Sequence, residues 1–254
     1  MISTSERRNE IGHLVLEKGR ITVKDLSKMY NVSAVTIRND LNFLREKGIL
    51  CRSYGMALRG DTVSFDKAIR EKEKIHEEEK KRIGKTAATY INDGDSIVID
   101  SGTTTMEVAR NIHGKKNLTV MTNAINIATE LAGIPSIKLM LTGGILRETS
   151  FSLVGPQAEE ILKEFYFDKV FLGVDGFDLE YGLTTPNVLE ARLNRLMVER
   201  ADKAIAVLDS SKFARRSLSF IVEPKDIDII ITDVNISTEY KKRIEDMGIG
   251  IVTV

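Results

Sequence analysis

One cysteine, no tryptophan, four prolines and three histidines are all that this chain of 254 residues has of those types. The single cysteine, Cys51, excludes an intrachain disulfide. With only His13, His76 and His113 scattered along the chain, a Cys/His zinc site is not expected. There is no apolar run of about 18 residues, the length needed to cross a bilayer, so no membrane partner is expected. The opening "MISTSERRNEIGHL" has no apolar h-region, which argues against a signal peptide. The expectation is a cytoplasmic protein with neither metal nor cofactor.

What is present is ordinary globular material, 42% hydrophobic and 29% charged. The length suits one large domain or two of common size. Net charge is zero but unevenly spread. Residues 1–60 hold 11 Lys and Arg against 6 Asp and Glu, and the remainder 26 against 31. A basic segment on an acidic body implies separate partners for the two parts, although a basic face also serves solubility alone.

The first sixty residues carry helix signals at short intervals. Ser3 to Glu6 has capping-box spacing, and Ile11, Leu14 and Val15 follow at helical spacing up to a stop at Gly19. "RITV" (20–23) is no more than a β fragment. Thr22 to Asp25 offers a second N-cap, before a short helix with Leu26 and Met29 on its apolar face. Ser33 caps a third helix, expected to run through Glu46 to a stop at Lys47-Gly48. "ILCRSYGMALR" then reads as a two-stranded hairpin turning near Ser53-Tyr54-Gly55. Two short helices, a brief turn and a hairpin make a winged helix-turn-helix.

In the third helix Ile37, Leu41 and Leu44 fall on one stripe, which must face the other helices. The opposite side carries Val35, Thr36, Arg38, Asn39 and Asn42, types that read base edges in a major groove. Arg45, Arg52 and Arg59 can add phosphate contacts, and Ser33, the cap of this helix, is counted among the DNA-binding residues. The expected partner is double-stranded operator DNA. A merely solvated polar face is the bland alternative.

"RRNEI" and "ITVKDLSKMYNVSAVTIRNDLNFLREKGIL" strongly resemble the N-terminal signature of the DeoR family of bacterial transcriptional repressors. The family's residue directly after "TIR" is usually basic; here it is Asn39, which implies a distinct operator sequence.

Residues 64–83, "SFDKAIREKEKIHEEEKKRI", are dense in mixed charge and read as a solvated helical linker, with His76 an exposed helix residue. The expected division is 1–60 for DNA binding, 61–83 for the linker and 84–254 for a second domain. There, seven short apolar runs (96–100, 118–122, 137–142, 169–174, 203–208, 227–232 and 250–254) alternate with helical stretches. This predicts an α/β domain with a mainly parallel sheet covered on both faces. Ligands of such sheets bind beyond the strand carboxyl ends.

Five of those ends are polar. The first gives Asp100, Ser101, Gly102, Thr103, Thr104 and Thr105, a tight turn rich in hydroxyls that opens a helix, suited to a phosphate. Serine and threonine are also common N-caps, so the loop alone does not decide. Asn123 follows the second strand, Gly143 and Gly144 the third, Asp175 and Gly176 the fourth, and Asp209 to Lys212 the fifth; Glu190 starts a helix nearby. Together they favour one ligand pocket.

This half resembles the DeoR sensor domain in "IDSGTTT", "TN", "TGG", "GVDGFD…GLTTPN" and "DSSKF". The resemblance implies a domain related to sugar-phosphate isomerases. "TSERR", "EARLNR" and "DSSKF" look most like repressors of amino-sugar (aga-type) operons. The implied function is a homo-oligomeric repressor, dimer or tetramer, released by a phosphorylated sugar. Ser101 to Thr105 and Lys212 would take the phosphate, and Asp175, Glu190 and Asn123 the sugar hydroxyls or amine. The alternative is an isomerase or deaminase with an appended DNA-binding domain. Against it, Phe177 stands where the amino-sugar deaminases have a histidine; for it, the carboxylates Asp175, Asp178 and Glu190 remain.

Overall fold

The computed structural model describes residues 4–18, 20–46, 50–53, 56–59 and 68–254. The helix stops expected at Gly19 and Gly48, the turn at Tyr54-Gly55, and the side chains of Arg45, Arg52 and Arg59 lie outside the described residues.

The N-terminal part runs α1 (Thr4–Lys18), β1 (Arg20–Thr22), α2 (Val23–Tyr30), α3 (Ala34–Glu46), β2 (Leu50–Ser53) and β3 (Met56–Arg59). Thr22 Oγ1 accepts the Asp25 N–H at 3.1 Å and starts α2, which ends at Asn31 in the left-handed conformation (φ 49°). Ser33 Oγ accepts the Thr36 N–H at 3.0 Å and starts α3. Ile37, Leu41 and Leu44 are buried with Ile11, Val15, Ile21, Val23 and Leu26 in one core. The wing has three strands rather than two, in the order β1-β3-β2, because Arg20 to Thr22 pair antiparallel with Met56 to Leu58. Three residues carry no periodicity of their own, so only pairing with the distant hairpin makes them a strand.

The second part begins with α4 (Ile69–Glu73) and α5 (Glu77–Ala88). The charged segment is therefore not one helix: His76, exposed and at φ 53°, breaks it. Nor is α5 wholly solvated. Lys80, Ile83, Gly84 and Ala87 are buried on one side.

After α5 come β4 (Ser96–Ile99), α6 (Thr103–Arg110), β5 (Leu118–Thr122), α7 (Ile125–Leu131), β6 (Ile137–Leu141), β7 (Ile145–Arg147), β8 (Ser152–Val154) and α8 (Pro156–Lys163). They are followed by β9 (Phe167–Gly173), β10 (Gly176–Asp178), β11 (Gly182–Thr185), α9 (Val188–Glu199), β12 (Ala201–Val207), β13 (Ser219–Phe220), β14 (Ile229–Thr232), α10 (Thr238–Asp246) and β15 (Gly250–Thr253). The seven expected strands form one sheet in the order β15-β14-β12-β9-β4-β5-β6, parallel throughout.

Strand alternation separates two cores. Ile97, Ile99, Phe171 and Ile205 face α5, α6 and α7 through Ile83, Val108 and Ile127. Val98, Val170, Leu172 and Ala206 face α8, α9 and α10 through Leu162, Leu193 and Ile244. The hairpin β7–β8 and the antiparallel trio β10-β11-β13 add to this sheet and have no counterpart in the sequence pattern.

The strand order reverses at one place. From β4 the chain builds outward through β5 and β6; from β9, on the other side of β4, it builds through β12, β14 and β15. A crevice opens between helices leaving in opposite directions at such a point. Asp100 and Ser101 leave β4 there, and Val174 and Asp175 leave β9.

Candidate functional site

Two sites take shape. On α3, Val35 is 61% exposed, Arg38 and Asn39 are exposed, and Thr36 and Asn42 are half-buried. The structure thus places the predicted reading face outward and its apolar stripe inward. Ser33 is exposed, and its hydroxyl holds both the N–H and the Oγ1 of Thr36, so it serves as the helix cap.

The second site is at the switch point. Asp100 is 1% exposed and ringed by donors. Asn123 Nδ2 donates to its Oδ1 at 3.3 Å and Asn194 Nδ2 to its Oδ2 at 3.1 Å. Burial, reinforced by the charge of Glu190, pushes its carboxyl up to about 8, against the backbone N–H groups of Ser101 and Gly173 and the Asn123 amide. Asn123 Oδ1 and Asn194 Oδ1 are themselves buried with no hydrogen-bond partner.

Glu190, placed by the Asn187 cap of α9, is 7% exposed. Its Oε1 accepts from Ser150 (2.6 Å) and Ser152 (2.7 Å) and pairs with Arg147. Thr185 at the end of β11 joins it to Asp175: its hydroxyl lies 3.4 Å from Glu190 Oε2 and 3.5 Å from Asp175 Oδ2.

Asp175 gathers cations. Lys72 of α4 reaches its Oδ1 at 2.8 Å and Lys212 at 3.5 Å. Burial alone would raise the Asp175 carboxyl, but the two ammonium groups outweigh it and hold the group below its usual range. Lys80 lies beneath, 4% exposed, with Nζ donating to the Lys72 carbonyl. Burial pushes the Lys80 amine down to about 8; Asp209 opposes this, and Lys212 and Lys72 add to it. The α4 segment is also held by its backbone, Ile69 N–H to Thr149 O at 2.8 Å.

The expected loop behaves unevenly. Ser101, Gly102 and Thr103 are half-buried at the start of α6, whose Gly102 cap supplies no side chain to the first N–H groups. Thr104 is buried, and the Thr105 hydroxyl turns back to Gly102 O at 3.0 Å. Gly143 and Gly144 (φ 65° and 107°) make the turn into β7, and a Cβ on Gly144 would meet Val154 O at 2.6 Å. Gly176 is packed on Arg215 O in the same manner. Packing alone accounts for these two glycines.

One of the carboxylates that kept an enzyme in view, Asp178, is employed outside this cluster. Asp178 Oδ1 accepts the N–H groups of Glu180 and Tyr181, closing the β10–β11 turn. Phe177 is fully buried against Phe213 and Tyr240. His76 and His113 are exposed.

Sequence reasoning missed Lys72, Lys80, Arg147, Ser150, Ser152, Thr185 and Asn194. Only Lys80 left a trace: with Ile83, Gly84 and Ala87 it shares a helical stripe inside a charged run. Among the described residues no helix is long and apolar enough to cross a membrane, and no His/Cys/Asp/Glu group suits a metal ion.

Comparison with known proteins covers both parts. The DeoR-like helix-turn-helix domain profile matches residues 7–63, and the DeoR C terminal sensor domain profile matches residues 75–234. A protein of Escherichia coli O157:H7, named as an aga operon transcriptional repressor, is 43% identical over 99% of this chain and 94% of its own. The HTH-type transcriptional regulator GolR of Listeria innocua is 36% identical over 97% of each. Among solved structures, ribose 5-phosphate isomerase A from Methanocaldococcus jannaschii is similar over 54% of this chain and 55% of its own, at 16% identity and a TM-score of 0.40.

Proposed function

Because this chain belongs to the DeoR family of DNA-binding transcriptional regulators, we propose that it represses a sugar or amino-sugar operon and is released from its operator by a phosphorylated sugar. The observation that carries the reading is the convergence of Lys72 and Lys212 on Asp175, with the buried Lys80 held against the Lys72 carbonyl behind them. Two ammonium groups on the one carboxylate they share leave a positive surplus, which a phosphate balances. The free N–H groups at the start of α6 add a second anion-holding element near Ser101 to Thr103.

The sugar would meet acceptors. Asp175, Glu190 and the buried carbonyl oxygens of Asn123 and Asn194 suit hydroxyl or ammonium donors. This fits the aga operon in the name of one relative. Regulation rather than turnover agrees with the employment of Glu190, whose carboxylate is tied to Arg147, Ser150 and Ser152 instead of poised as a base. The protein would act in the cytoplasm as a homo-oligomer on repeated half-sites.

The linkage is reciprocal: a sugar phosphate that lowers operator affinity must itself bind less tightly to the DNA-bound protein. Operator binding titrated against phosphorylated hexoses, amino sugars and pentoses tests it. One class should weaken the complex at micromolar to millimolar levels. A panel without effect on operator affinity overturns the reading.

A further inference from the structure

Arg7 and Arg8 of α1 converge on one acid of α3. Arg7 Nε donates to Asp40 Oδ2 and Arg8 Nε to Asp40 Oδ1, both at 2.8 Å. Asp40 is 1% exposed and the Arg7 side chain 8%, whereas 26% of the Arg8 side chain is exposed. Two guanidinium groups against one carboxylate leave a surplus positive charge, and Arg8 presents it to solvent. Its guanidinium carbon also lies 4.1 Å from the centroid of the Phe43 ring, which is itself 38% exposed. Asp40 takes only Nε of Arg8; no hydrogen bond from its two terminal NH₂ groups is seen among the described residues. That free edge, two parallel donors in a fixed plane, matches a phosphate.

The place of this edge on α3 decides what it meets. At about 100° per residue, Arg38, Asn42, Val35, Asn39 and Phe43 span the outward arc, in that order around the helix. Beyond Phe43 come Thr36 and then Asp40, at the border with the buried stripe. Arg8 therefore stands on the Phe43 flank of the reading face, and Arg38 on the opposite flank. A helix about 10–12 Å across fills a major groove about 12 Å wide, so its outward arc meets base edges and its flanks meet the two sugar-phosphate walls.

We propose that Arg8 is a phosphodiester-contacting residue of the DNA interface, and that Asp40 and Phe43 are the positioning residues that aim it. It holds the register of α3 in the groove and carries no base preference. An acid in the middle of a DNA-reading helix is thereby accounted for: its charge is spent inward on two arginines, one of which faces the groove wall.

The test uses the full-length chain, with an operator duplex selected by the wild-type protein from random sequence and an unrelated duplex of equal length. Arg8→Gln keeps a donor for Asp40 and a flat group on Phe43 but removes the charge. Both duplexes should be bound more weakly by the same factor, with the log–log salt slope reduced by about 1 and the selected base preference unchanged. Arg8→Lys, which keeps the charge, should restore the slope. Three results overturn the proposal: unchanged affinity and slope in Arg8→Gln, weakened binding at unchanged slope with a lowered melting temperature, or a changed base preference.

Discussion

Lys80 Nζ donates to the main-chain carbonyl of Lys72 at 2.5 Å, so a buried lysine of α5 holds the turn of α4 whose own side chain reaches Asp175. A buried ammonium is costly unless its charge is used. The carbonyl satisfies one of its three donors, and Asp209 and Glu73 offset its charge only in part, since burial still pushes the amine down to about 8; an incoming phosphate would add both a hydrogen-bond acceptor and negative charge.

Replacing Lys80 by Gln should therefore separate the two activities. Operator binding by α3 persists, while the phosphosugar concentration needed for release rises tenfold or more, the usual scale for losing a charged hydrogen bond. In the wild type, phosphate affinity should fall as pH rises through about 8, where the Lys80 amine, pushed down by burial, loses its proton. The charges facing it, Asp209, Lys212, Lys72 and Glu73, are common to both proteins, so their titration is controlled for. Isothermal titration of both proteins with phosphosugar between pH 7 and 9 reads the difference. Parallel pH profiles would refute the role of Lys80.

Asp100 gives a stability prediction of defined sign. Burial and Glu190 raise its carboxyl from 3.8 to about 8. Folded protein then keeps a proton that the unfolded chain gives up, so this group's contribution is fully present below about pH 4 and lost as pH rises toward 8. Asp100→Asn, neutral at every pH and still within reach of Asn123 and Asn194, should lack this loss. Its melting temperature relative to wild type should climb between pH 5 and 8.5. A constant difference would mean that Asp100 is ionised in the folded protein throughout.

The seven parallel strands and the outward polar face of α3 were legible because each is a local pattern: apolar runs between helical stretches, and a buried stripe opposite an Arg/Asn face. The pocket was half legible. Asp175, Glu190 and Lys212 stand at element ends, where polar residues after apolar runs signal a crevice. Lys72 and Lys80 do not, because a lysine in a charged run looks solvated until α5 is laid against α6. Arg147 and Asn194 come to the site from a small hairpin and from within α9, and no spacing links them to Asp100 or Glu190. Arg8 was equally hidden, since only packing of α1 on α3 brings it to Asp40.

The approach of α5 to α6 is set by Gly84. A Cβ there would lie 2.4 Å from Glu107 Cβ and 2.5 Å from its carbonyl carbon, atoms that cannot rotate away. Alanine gains up to about 1 kcal/mol of helix propensity over glycine. Overpacking costs about 1–3 kcal/mol, so the clash should win and Gly84→Ala should destabilise. Because α5 carries Lys80, the variant should also lose effector response at temperatures where it remains folded. Denaturant unfolding with an operator-release titration checks both. A stabilised variant would show that the helices separate at little cost.

Arg38 and Asn42 predict how operator choice is made. Arg38 is exposed on α3 and no residue described here pairs with its charge, so its fork is available to a guanine edge. Arg38→Ala should cost about 1–3 kcal/mol on the selected operator and relax preference at one base position, while binding to unrelated duplex changes less. That pattern is the reverse of the one expected for Arg8, whose loss should weaken all sequences alike. Selection from a random library with each variant distinguishes them. Should Arg38→Ala reselect the wild-type operator with equal stringency, the outward arc of α3 is not the surface that reads bases.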